Sequence, residues 1–357
     1  MPRICIIPKA ANIGGVTSFQ HKLAAGLARR GVEVCHDLGD TPYDALLLTG
    51  GTRQLFALWR ARRRGVRVVQ RLDGINWIHR RRRTGWRHYL RAEYGNRLLA
   101  FIRTRIASQI AYQSEFVRGW WEDWFGAARA PSVVIHNGVD LETYSPVGRV
   151  SLVPACPGGQ ARAAQAQANP PEARYRLLIV EGSLGGGYDM GLEWAVRLAE
   201  SLAENHKFPM ELMVVGRLAP QLQSAWQKNS RIPILWAGTL PGERIPEIDR
   251  SAHLLFSADL NSACPNSVIE ALACGLPVVA FSTGALPELV TGDSGRLVTY
   301  GGNPWRIDPP DLPALAAAAA EILADLPRFR KGARARAEAA FGLDRMVEGY
   351  LQILLNS

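Results

Sequence analysis

The chain has 357 residues, and none of its apolar stretches comes near the about twenty needed to cross a bilayer, so no transmembrane helix is expected. The opening MPRICIIPKAANIGG does not have the shape of a signal peptide, because its apolar run is short and broken by Pro8 and Lys9. Cysteine is sparse. Cys5, Cys35, Cys156, Cys264 and Cys274 are scattered, odd in number and form no C-x-x-C pair. That argues against a zinc site or a disulfide framework, and for reduced thiols in a cytoplasmic protein.

What is present is enough apolar sequence for two cores. At 357 residues and 47% hydrophobic composition, the chain is long for one ordinary domain and predicts two. Charge divides them. Residues 1–150 hold 24 basic and 11 acidic groups, net +13, whereas residues 151–357 hold 18 and 21, net −3. The first half therefore needs an anionic partner or surface more than the second does.

Short apolar runs alternate with amphipathic segments. In the first half RICIIP, VEVCHDL, DALLLTG, VRVVQRL, QIAYQS and SVVIHNG read as strands, and in the second RYRLLIVEG, MELMVVG, IPILWAG, HLLFSAD, LPVVAFST and GRLVTYG. Strands apolar on both faces and separated by helices predict parallel sheets covered by helices. The fold class is α/β: two tandem Rossmann-like, doubly wound domains facing across a cleft. The first covers residues 1–150 and the second 175–340. Residues 151–174, rich in Ala, Gln, Pro and Gly, read as a linker or insertion, with a surface helix over QARAAQAQA as the competing reading. Residues 341–357 read as a final amphipathic helix. In such sheets, ligands bind outside the carboxyl ends of the strands.

Several loops at those ends carry candidate chemistry. In PKAANIGGVTSF, Gly14 and Gly15 lie between the first strand and the first helix, where backbone approach and free N–H groups favour an anion. The segment is not G-x-G-x-x-G, so no dinucleotide cofactor is expected, and indeed no cofactor at all. Asp73, with Gly74, ends the fourth strand, where a carboxylate can hold a sugar hydroxyl or move a proton; a plain turn aspartate is the competing reading. His136, Asn137, Gly138 and Asp140 read as a structural turn. In the second half, Gly182, Ser183 and the triplet Gly185–Gly187 separate a strand from a helix and leave room for a phosphate or sugar. Arg217 ends the next strand, where it could neutralise a phosphate. In PNSVIEALACGLPVVAF, Pro265, Asn266 and Ser267 open a helix whose N–H groups can hold a diphosphate, and Glu270 lies a turn further in, placed for vicinal ribose hydroxyls.

Arg80, Arg81, Arg82 and Arg83, interleaved with Trp77, Trp86 and Tyr89, read as an interfacial basic helix for an anionic membrane or acceptor, against a solvated arginine face. No nucleic-acid motif accompanies them, so no nucleic acid is expected as a partner.

The stretch PNSVIEALACGLPVVAFSTGALPELV, with GGV after the first strand, HNGVD before the linker and GR after a second-half strand, resembles the retaining, nucleotide-sugar-dependent glycosyltransferases of the group-one, glycogen synthase-like superfamily with the GT-B fold. The resemblance spans nearly the whole chain, strongly over 262–300 and weakly over 60–130. It implies an acceptor on the first domain, a donor mainly on the second, a final helix crossing back to the first, and no metal; no D-x-D occurs. It also marks departures. Ser262 stands where the family carries the first of two acids eight residues apart, Glu270 matching the second. Ser183 and Leu184 stand where the family places an Arg and a Lys on the diphosphate, and Leu72 replaces a His before Asp73.

The resulting expectation is a metal-independent hexosyltransferase. It would move sugar from a nucleoside diphosphate to a hydroxyl of a cell-envelope glycan or lipid-linked saccharide, at the inner face of the membrane. The alternatives are a non-catalytic nucleotide-sugar-binding partner of another transferase and a basic anion- or nucleic-acid-binding protein.

Overall fold

The computed structural model describes residues 1–10, 14–147, 174–184 and 190–355. The segment 151–173 and the glycines at 185–187 therefore lie outside the described residues. Two compact units emerge, each built on one six-stranded parallel sheet.

The first unit comprises Met1–Gly138, Ser262–Pro265 and the chain from Phe341. Its strands are β1 (Arg3–Ile7), β2 (Glu33–Cys35), β3 (Ala45–Leu48), β4 (Arg67–Leu72), β5 (Gln109–Tyr112) and β6 (Ser132–Val134), in the order β2-β1-β3-β4-β5-β6. The period of two sorts its core. Ile4 and Ile6 of β1 face one way, with Ala45 and Leu47 of β3, while Cys5 and Ile7 face the other, with Leu46 and Leu48. On the first face lies α1 (Gly15–Ala28); on the second lie α2 (Leu55–Arg63) and α3 (Trp86–Arg105), through Leu58 and Ile102. Helix α4 (Glu115–Phe125) follows β5 and is capped by Ser114, whose side chain accepts from the Val117 N–H.

Two cysteines sit in this core as small apolar residues. Cys5 and Cys35 are buried and free, as are Cys264 and Cys274; Cys156 lies outside the described residues.

The second unit comprises Val139–Asn261 and Asn266–Ala340. It contains β7 (Tyr175–Ser183), α5 (Met190–Glu204), β8 (Met210–Arg217), α6 (Pro220–Asn229), β9 (Ile234–Gly238), α7 (Ile245–Ser251), β10 (Leu254–Ser257), α8 (Asn266–Ala273), β11 (Val278–Phe281), α9 (Leu286–Leu289), β12 (Gly295–Val298), α10 (Leu312–Ala324) and α11 (Leu326–Ala340). The strand order is β12-β11-β10-β7-β8-β9. The six strands read from the sequence in each half are the six observed. The last helix, α12 (Leu343–Leu355), packs on α1 in the first unit, with Tyr350 edge-on to Phe19 at 5.1 Å. Gly26 makes that approach possible, because a Cβ there would stand 2.4 Å from Val347 Cγ2.

The basic segment departs from its reading as a helix. Ile78–Arg80 form one 3-10 turn, Arg81 to Gly85 a loop, and α3 begins only at Trp86, after Gly85 at φ 87°. Trp77 is buried, 8% exposed, and cannot serve a surface contact. Arg80 is bound to Glu93 by two hydrogen bonds, Nε to Oε1 at 2.5 Å and Nη2 to Oε2 at 2.9 Å. Its guanidinium also lies 4.3 Å over the Trp124 ring. The single carboxylate of α3 thus withdraws one arginine of the four, and Arg80 with His79 holds the Glu93 carboxyl down at about 2.

Candidate donor and acceptor sites

Strand order points to the ligand ends of both sheets. In the second unit it reverses between β7 and β10, and in the first between β1 and β3. Ligands of open parallel sheets bind at such switch points, outside the carboxyl ends of the strands.

In the first unit, Gly14 caps α1 at φ 155° and ψ 177°, and Gly15 is its first residue. A Cβ on Gly14 would meet nothing within 4 Å among the described residues. The loop after β1 is held by Gln20, buried in α1. It accepts from the Ala10 N–H at 2.9 Å and donates to the Pro8 carbonyl at 2.7 Å and to Thr49 Oγ1 at 2.6 Å, so it ties the ends of β1 and β3 together. The sequence reading missed Gln20, since a lone Gln in an amphipathic helix carries no motif.

Asp73 follows β4 and belongs to a closed polar ring built from the ends of three adjacent strands. Arg71 Nη1 and Gln113 Nε2 both donate to Asp73 Oδ1. Arg71 Nη2 donates to Asn137 Oδ1 at 3.0 Å, and Asn137 Nδ2 to Gln113 Oε1 at 3.2 Å. The Trp121 indole N–H donates to the Asp73 carbonyl at 2.8 Å. Arg71 is buried, at 2% side-chain exposure, and its guanidinium lies 3.9 Å over the Phe19 ring, while Asp73 keeps 39% side-chain exposure. Burial raises the Asp73 pKa; Arg71 and Gln113 pull it back without cancelling the rise.

The ring reaches the segment that precedes α8. Asn137 Nδ2 donates to the Cys264 carbonyl at 3.0 Å, and Ser114 Oγ to the Ala263 carbonyl at 2.7 Å. Asn137, read as a turn residue, is thus a polar anchor. Leu72, standing where the resemblance implies a histidine, is a buried β4 residue.

In the second unit, α8 begins at Asn266 and carries Ser267 in its first turn. Glu270 lies one turn in and is buried, at 9% exposure. Pro265 belongs to the segment packed with the first unit. Arg217 ends β8 and is exposed. Its strand end is drawn against β7: Leu184 N donates to the Arg217 carbonyl at 2.9 Å. Gly216, at φ 143°, allows that approach, since a Cβ there would stand 2.2 Å from the Glu181 carbonyl oxygen. Gly182 is exposed at the end of β7, and Ser183 is its last residue. A Cβ on Gly191, at the start of α5, would come within 2.7 Å of Ala258 Cβ, so that helix start sits hard against the end of β10.

Two acids that the sequence reading did not single out occupy the switch point. Burial and the neighbouring Asp259 push Glu181, in β7, up to about 8, and burial pushes Asp259, just past β10, up to about 6. A third, Asp249 of α7, is buried, at 1% exposure. Burial, with the charge of Glu270, holds its pKa well above the ordinary carboxylate range. Nothing in the local sequence marks these three; only the juxtaposition of strand and helix ends does. Among the described residues, no group of three or more His, Cys, Asp or Glu is placed to hold a metal ion.

Residues 176–325 match the family model described as glycosyl transferases group 1. An uncharacterized glycosyltransferase of Methanocaldococcus jannaschii is 24% identical over 138 residues, which span 37% of this chain and 35% of that protein, about a third of its length. Over 99% of this chain and 98% of the other, the structure is similar to sucrose-phosphate synthase from Thermosynechococcus elongatus, with a TM-score of 0.75 and 19% identity. WaaG, a glycosyltransferase involved in lipopolysaccharide biosynthesis, matches over 99% and 100% of the two chains at a TM-score of 0.70 and 13% identity. Anabaena HepE in complex with UDP-glucose matches over 99% of each chain at a TM-score of 0.67 and 16% identity. The chain has the GT-B fold, and within it residues 176–325 are similar to the group 1 glycosyl transferases.

Proposed function

We propose that the protein transfers a hexose from a nucleoside diphosphate sugar to a hydroxyl of a cell-envelope glycan or lipid-linked saccharide, with retention of configuration and without a metal. The observation that carries this reading is α8: its N-terminus opens at Asn266 and Ser267, and the buried Glu270 stands one turn in. A helix N-terminus favours the diphosphate, and a carboxylate one turn along can accept hydrogen bonds from two ribose hydroxyls. UDP-glucose in the HepE structure supports the donor class, and the lipopolysaccharide role of WaaG supports the acceptor class.

In this reading, N–H groups at Asn266 and Ser267, with Arg217, stabilise the departing diphosphate. The bond from the anomeric carbon to the diphosphate oxygen breaks, the acceptor oxygen bonds to that carbon, and the acceptor proton leaves. Asp73, with its raised pKa, is the candidate to hold the acceptor hydroxyl or receive that proton. The acceptor would reach the enzyme at the inner face of the cell membrane.

One observation favours a second reading. Where the resemblance implies an Arg and a Lys, this chain has Ser183 and Leu184, and the acids Glu181 and Asp259 stand at the same strand ends. A protein that binds nucleotide sugars without turning them over would have no need of those cations. Incubation with nucleoside diphosphate sugars, read by chromatography for released nucleoside diphosphate, separates the two. Release above the protein-free rate supports the transferase; tight binding without release, with or without acceptor, selects the second.

A further inference from the structure

Helix α3 turns an apolar stripe outward. Trp86, Leu90, Tyr94 and Phe101 follow the helical repeat along one side and are 69%, 58%, 51% and 47% exposed. Ala92, Asn96 and Arg103 are buried on the opposite side. Helix α2 continues the surface. Its Phe56 and Trp59 are exposed and stack with ring centroids 5.8 Å apart. Arg53, just before α2, lies 5.7 Å from the Tyr94 ring and joins the two helices. Arg63 lies over Trp59 at 4.1 Å and Arg87 over Trp86 at 5.3 Å, and Arg91, Arg97 and Arg105 are exposed along α3.

A run of exposed rings on a folded protein marks an interaction surface, and charge decides what it fits. From Arg53 to Arg105 the chain holds sixteen arginines, no lysine and two acids, Asp73 and Glu93. Both acids are already bonded, to Arg71 and to Arg80. Helix α2 carries no carboxylate, and α3 none besides Glu93. Rings that sit at headgroup depth, flanked by guanidiniums that reach phosphates, are the chemistry of an anionic lipid interface. We propose that the α2–α3 face docks on an anionic bilayer, with Phe56, Trp59, Trp86, Leu90 and Tyr94 entering the headgroup layer. The docking face is thus distinct from the buried Trp77 and the Glu93-bound Arg80.

The test uses the full chain and needs neither donor nor acceptor, so its outcome is separable from the transferase reading. The protein is sedimented with vesicles of phosphatidylcholine alone and of phosphatidylcholine with phosphatidylglycerol, at low and high salt. Binding is expected on the anionic vesicles and weakened, not abolished, by salt. Arg87→Gln/Arg91→Gln/Arg97→Gln should lower that affinity on the order of a hundredfold, at about fivefold per arginine. Trp86→Ser/Leu90→Ser/Tyr94→Ser should remove the salt-resistant part. Both variants change exposed side chains only, and a wild-type melting temperature verifies their folding. No binding, equal binding to neutral and anionic vesicles, or unchanged affinity in both variants would overturn the proposal.

Discussion

Asn137 donates to the carbonyl oxygen of Cys264 at 3.0 Å, although 127 residues of chain separate them. One side chain at the end of β6 thereby completes the polar ring around Arg71 and pins the segment that leads into α8. The turn after β6 and the stretch before the helix are physically one structure, so a change in either should be felt in both.

Asn137→Ala removes the hydrogen bond to the Cys264 carbonyl and takes the acceptor at Asn137 Oδ1 from Arg71 Nη2, in a buried place. We expect a loss of stability of about 1–3 kcal/mol for groups left unsatisfied. Urea unfolding followed by circular dichroism reads it as a lower midpoint at unchanged slope. An unshifted midpoint would mean that water replaces the side chain at no cost.

Glu270→Ala removes the carboxylate assigned to the ribose. Donor affinity should fall by about 1.5–3 kcal/mol, the range for hydrogen bonds to a charged group. Calorimetric titration with the nucleoside diphosphate sugar measures it. Equal affinity in the folded variant would remove Glu270 from the donor site.

Gly15→Val places a branched side chain at the first residue of α1, next to its cap Gly14. Turnover should be lost, while the melting temperature stays within a few degrees, about what a surface change costs. Normal turnover would reduce this loop to a connection.

The acids at the switch point give a pH dependence with a definite sign. Glu181 and Asp259 have folded pKa values raised to about 8 and about 6, so the native state holds protons that the unfolded chain has released. Their contribution to stability is complete below their ordinary pKa values near 4 and is lost as pH rises towards 8. Donor binding should follow the same sense, because a diphosphate is repelled once both are charged. Titrations between pH 6 and pH 8.5 should show weakening affinity, on the order of tenfold for one uncompensated nearby charge. Glu181→Gln should flatten the profile and bind more tightly at the alkaline end. A pH-independent wild type would place these acids away from the phosphates.

Much of this is legible in the sequence. The strands are short, β-branched or leucine-rich, and bounded by Gly, Pro and Asp, so RLLIV and PVVAF announce themselves as β7 and β11. The α8 start was legible too, because Pro265–Ser267 precede an apolar run with one acid in it. What escaped was whatever depends on contact at long range. Asn137 was read as a turn residue because its partners, Arg71 and Cys264, lie far along the chain. Trp77 was read as a surface aromatic because it adjoins four arginines, yet the turn at Ile78 carries it inward. The outward stripe of α3 was hidden by the same arginines, which mask its apolar period.

The central claim is that the second unit holds a nucleoside diphosphate sugar through the α8 N-terminus and Glu270. It is tested most directly by thermal unfolding of the wild type and Glu270→Ala against a panel of such sugars and their free nucleoside diphosphates. Bound ligand raises the melting temperature by mass action. The account predicts that at least one sugar nucleotide shifts the wild type upward, and that Glu270→Ala, folded as the wild type is, shows little or none of that shift. No shift of the wild type with any member of the panel, or an equal shift in the variant, would contradict it.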